Sequence, residues 1–98
     1  MLLSMRYLDW DEVKNAQLRQ ERNISFEDVV IVIDDGGILD DVPHPNSKRY
    51  PSQRLLIIKI AQYAHIVPYV EDQQKIFFKT IIPSRKATKK YITKGKEK

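Results

Sequence analysis

Bases and phenols crowd the end of this chain at a spacing suited to holding phosphate. Lys79-Thr80-Ile81-Ile82-Pro83-Ser84-Arg85-Lys86-Ala87-Thr88-Lys89-Lys90-Tyr91 runs from an apolar strand-like segment through a proline into a basic segment of helix-forming residues. Cations therefore gather where a strand ends and a helix begins, and a polyanion is the natural partner. Arg85 offers a planar fork for phosphate, and Lys79 and Lys86 supply compact charge. Cutting RNA without a metal needs a group to take the 2′-OH proton, cations for the charge growing on phosphorus, and an acid for the leaving oxygen. His65 and His44 are the two side chains with an ordinary pKa near neutrality, and either could serve. The catalytic candidates are Arg85, His65, Lys79 and Tyr91. Those for holding RNA are Lys59, Tyr63, Lys86, Lys89 and Lys90, with Tyr69 a further phenol on the same strand face as Tyr63 and His65. Each has a plainer reading beside it: a lone strand histidine is more often structural, tyrosines pack, and a basic helix face is often only solvated.

The elements that must position these groups can be read in order. Met5 to Leu8 suggests a short edge strand. Asp9, three residues before Glu12, has the spacing of a helix cap, with a helix from Asp11 to about Arg22 and Asn23 as its stop. Ser25 caps a second helix, in which Phe26, Val29, Val30 and Ile33 fall at helical spacing; Asp35-Gly36-Gly37 ends it. Four strands follow, over Ile38–Val42, Arg54–Ile60, Tyr63–Glu71 and Lys75–Ile82. A loop with three prolines separates the first two. Pro68 cannot donate to a ladder and implies a bulge or an edge. Ser84 caps a last helix from Arg85 to about Ile92. The fold class is α+β: two N-terminal helices and a basic C-terminal helix packed on one face of a mainly antiparallel four-stranded sheet, leaving the other face available.

Composition narrows the classes. At 98 residues the chain makes one domain over 1–92 with a basic disordered tail over 93–98. Its charge is divided: residues 1–41 hold ten acids against four bases, and residues 42–98 hold thirteen bases against three acids. That separation draws a polyanion to one side in a salt-dependent way. No apolar run is long enough for a bilayer span, no signal-peptide pattern precedes the first acids, and there is no cysteine; a cytoplasmic location is expected. No metal or cofactor is expected, because the two histidines are far apart and Asp34-Asp35-Gly36-Gly37 lacks the alternating ligands of a calcium loop. Walker and dinucleotide motifs are missing too.

Three stretches carry a family resemblance: Trp10-Asp11-Glu12 with Lys14 and Asn15, Ile24-Ser25-Phe26-Glu27-Asp28, and Ser84-Arg85-Lys86-Ala87-Thr88. In this order they resemble the BrnT family of bacterial type II toxins, small ribonucleases with a RelE-like fold. The resemblance implies a metal-independent endoribonuclease that inhibits translation. It also implies a cognate ribbon-helix-helix antitoxin through which contact with DNA is only indirect. Arg85 and Lys86 match the family's Arg-Lys-Ala-Thr segment, and Arg49-Tyr50 resembles its Arg-Tyr, which adds both to the RNA-binding candidates. The alternative is a non-catalytic RNA- or ribosome-binding module acting by occupancy.

Overall fold

Each helix starts where a side chain can hold amides that the first turn leaves unpaired. The computed structural model describes residues 6–93. After strand β1 (Tyr7–Trp10), Asp11 caps helix α1 (Glu12–Arg22) by accepting from the amides of Val13 and Lys14, and Asn23 ends it at φ 55°. Ser25 opens α2 (Phe26–Asp34) with a capping box, its hydroxyl on the Asp28 amide and the Asp28 carboxylate on its own. Such a cap is worth about 1 kcal/mol. Gly36, at φ +79°, reverses the chain after α2.

The cap of α1 is Asp11, not Asp9. Asp9 lies in β1, where its Oδ1 accepts from the Trp10 amide at 2.9 Å and its Oδ2 from Lys75 Nζ at 3.1 Å. The strand continues through Trp10 because the indole is stacked 5.5 Å from the ring of Phe26, while Phe78 lies 6.1 Å from Phe26. That aromatic core draws two residues more into the strand than local spacing suggests.

Strands β2 (Ile38–Pro43), β3 (Arg54–Ile60), β4 (Tyr63–Glu71), β5 (Lys75–Phe78) and β6 (Ile82–Pro83) join β1 in one mixed sheet of order β1-β5-β4-β3-β2, with β6 on β4. It is therefore α+β, but the sheet has six strands and not four, and β1 runs parallel to β5. Met5, expected to begin β1, lies outside the described residues, as does the basic tail from Lys94 on.

The expected last strand, Lys75–Ile82, is broken between β5 and β6. Tyr69 pairs with Phe78 and Ile66 with Ile82, so three steps along β4 face four on the other side. Pro68 sits at this step. Its carbonyl accepts from the Lys79 amide at 2.8 Å, but it has no N–H to return, and the ladder gives way to a bulge. Arg22 Nη1 braces the bulge through the Ile81 carbonyl at 2.8 Å.

The sheet is covered on both faces. Leu18, Phe26, Val29 and Ile33 of α1 and α2 pack on Leu56, Ile58, Val67 and Ile76. On the other face Ala87 and Tyr91 of α3 (Arg85–Tyr91) pack against Ile57, Ala64 and Ile66. The three helices thus do not share a face, contrary to the sequence expectation. Alternation along the strands decides this, since Ile57 and Ile58 must face opposite ways. No helix among the described residues is long and apolar enough to cross a membrane.

Candidate nucleic-acid interface

Helix α3 is held by a small set of hydrogen bonds that leave its bases outside. Ser84 Oγ accepts from the Ala87 amide at 3.0 Å, and Thr88 donates its hydroxyl to the Ser84 carbonyl at 2.8 Å. Thr88 Oγ1 also accepts from the buried Ala64 amide at 2.8 Å, and the Ser84 amide donates to the Ala64 carbonyl at 3.0 Å. Both backbone polar groups of one β4 residue, Ala64, are thereby clasped by the first turn of α3. Ala87 and Thr88 are buried, whereas Arg85, Lys86, Lys89 and Lys90 are exposed. Within Ser84-Arg85-Lys86-Ala87-Thr88, three residues attach the helix and the two cations stay at the surface.

Helical spacing divides the cations. Lys86 and Lys90, four apart, line a shallow groove against the sheet; Arg85 and Lys89 lie on the flank away from it. Arg85, Lys86 and Lys89 make no ion pair or side-chain hydrogen bond with another described residue. The groove floor is Leu55, Ile57 and Ile66, with Pro43 and Pro45 at its rim. At its end the Tyr91 hydroxyl donates to Asp40 Oδ2 at 2.6 Å, and Lys90 Nζ lies 5.2 Å from the Tyr91 ring centre. The hydrogen bond from Tyr91 holds the Asp40 carboxyl below its ordinary range, and the same bond pushes the Tyr91 phenol up. Across neutral pH the pair is a carboxylate and a neutral phenol.

The remaining candidates do not converge on this groove. His65 belongs to the α1/α2 side by strand alternation with Val67 and Tyr69, so the sheet separates it from Tyr91. Its Nδ1–H donates to the Tyr63 carbonyl at 3.1 Å, its ring meets Tyr63 edge-on at 5.9 Å, and burial lowers its pKa. Lys79 is exposed in the bulge. Lys59 is exposed opposite Ala64, on the α3 side at the β3–β4 hairpin. In the proline loop Arg49 lies 5.5 Å over Tyr50, whose ring is 4.6 Å from that of His44. His44 Nδ1 accepts from the Asn46 amide at 3.0 Å, which places the proton of the neutral ring on Nε2.

The carboxylates of Asp40 and Asp41 in β2 are both engaged. Asp41 Oδ1 accepts from Arg54 Nε at 3.1 Å, and the Tyr69 hydroxyl donates to the same carboxylate, 2.8 and 2.9 Å from its two oxygens. Burial, then the Asp41 hydrogen bond, raises the Tyr69 pKa well above the ordinary range. The available signal was an Asp-Asp pair in a strand, where alternation must send one carboxylate to each face. No group of three or more histidine, aspartate or glutamate side chains able to hold a metal occurs among the described residues. No family model, curated protein or solved structure matches this chain.

Proposed function

We propose that this chain is the toxin of a type II toxin-antitoxin pair, a RelE-like, BrnT-type endoribonuclease that cuts RNA by attack of the 2′-OH and so inhibits translation. The observation that carries the reading is the set of exposed, unpaired cations Arg85, Lys86 and Lys89 on the short helix that ends in Tyr91, whose hydroxyl is bonded to Asp40. Arg85 and Lys86 hold the phosphate and offset its growing charge, Lys89 and Lys90 extend the contact along the backbone, and Asp40 fixes the phenol of Tyr91 as the group placed to move a proton. His65 keeps to the other face and takes no part in that step. The charged flank of α3 is also the surface a cognate antitoxin must screen to silence the protein.

Incubation of the purified chain with a defined single-stranded RNA in EDTA tests this. The expected fragments end in a 2′,3′-cyclic phosphate and a 5′-hydroxyl, with cleavage reduced at least about 100-fold in Arg85→Ala. Full cleavage by that variant removes Arg85 from the site. A second reading, occupancy of RNA without cutting, is favoured by the fact that no histidine lines the groove. It predicts intact RNA held with salt-sensitive affinity.

A further inference from the structure

We propose that the groove between α3 and the β2–β4 surface is a subsite for one guanine nucleotide, the base on the apolar floor with its Watson–Crick edge toward Asp40 and the phosphate at Lys86. The inference rests on the RNA reading above and names what that site selects. The groove carries both signs of charge, with Lys86 and Lys90 on α3 and the Asp40 carboxylate on β2. Next to the Tyr91 hydrogen bond, Lys90 lies close enough to help hold the Asp40 carboxyl down, and the floor beside Lys86 is apolar. A nucleotide carries the complementary series: an anion, a sugar, and a flat base whose faces are apolar. Leu55, Ile57, Pro43 and Pro45 suit those faces, because stacking and packing on a base are tolerant of its identity. Identity must then come from the edge.

Asp40 decides the edge by what it can accept. Its Oδ1 takes the Asp41 amide at 2.8 Å and its Oδ2 the Tyr91 hydroxyl at 2.6 Å. An ionised carboxylate has about four acceptor sites, so each oxygen keeps one. Guanine presents two neighbouring donors, N1–H and the N2 amine. Adenine and cytosine set an acceptor beside their single amine, and uracil sets its one donor between two carbonyls. Against a carboxylate, guanine alone makes two hydrogen bonds without turning an acceptor toward it. An unpaired buried acceptor is what rejects the other bases.

Equilibrium binding of GMP, IMP, AMP, CMP and UMP to the intact chain tests this without requiring cleavage. GMP should bind about 10-fold or more tighter than AMP, CMP and UMP, with IMP, which lacks the N2 amine, between them. Asp40→Asn should bring the ratio of GMP to AMP affinity close to one, whereas Lys86→Ala should weaken all five nucleotides and preserve the ratio. A role of Asp40 limited to holding Tyr91 would leave the ratio unmoved. Equal affinities in the unaltered chain, no binding, or a guanine preference that survives Asp40→Asn overturns the proposal. RNA cleavage is scored separately: cleavage without base discrimination removes only this subsite, and guanine discrimination without cleavage removes only the ribonuclease reading.

Discussion

Asp40 and Asp41 are neighbours in one strand, and each is bonded to a tyrosine, yet the two pairs live in different surroundings. Asp41 meets Tyr69, whose ring is fully buried among the side chains under α1 and α2, with Arg54 closing the ion pair. Asp40 meets Tyr91 at the end of an open groove bordered by lysines. Burial leads the upward shift at Tyr69, and the hydrogen bond to the carboxylate leads it at Tyr91. The same two functional groups therefore make a structural clamp on one face and an accessible pair on the other. Surroundings, not the pairing itself, separate the roles.

Removing each carboxylate should break the comparison most sharply. Asp41→Ala strands the buried Tyr69 hydroxyl and frees Arg54, at a cost of about 3 kcal/mol in urea unfolding, while RNA affinity of the folded protein stays the same. Asp40→Asn should lower the urea midpoint far less than Asp41→Ala yet lose RNA cleavage.

A smaller effect distinguishes the phenols by pH. The folded Tyr69 pKa lies above the unfolded value near 10.0. Its contribution is thus complete below that value, and stability falls as pH rises beyond it, since the unfolded phenol releases its proton first. Urea midpoints between pH 9 and 11 should fall in the unaltered chain and fall less in Tyr69→Phe. The smallest change belongs to Lys89→Ala. Cleavage should persist at low salt, with the slope of log affinity against log salt reduced by about 0.7.

Local chemistry made much of the fold readable. Ser25, Ser84 and Asn23 mark helix ends through contacts within a turn, so no distant partner was needed to find them. Pro68 announced a bulge because a missing N–H must be accommodated somewhere, although the extra residue appears on the strand opposite. Less legible were features set by distant packing. Trp10 extends β1 because Phe26 and Phe78 lie far along the chain, and the face taken by α3 depends on which side of β4 Ala64 presents to it. Arg85, Lys86 and Tyr91 were readable as site candidates from charge and spacing. Asp40 was not, since its partner lies 51 residues away and only the sheet brings them together.

Both outermost strands carry an aspartate that folds back on the following amide: Asp9 on Trp10 and Asp40 on Asp41. On β2 the Asp41 carbonyl is also taken by Arg54 Nη2, and Pro43 has no amide to offer. A free strand seeking to pair at these positions finds the Trp10 and Asp41 amides and the Asp41 carbonyl already taken. Strand addition from a second molecule is thereby disfavoured at those points of β1 and β2.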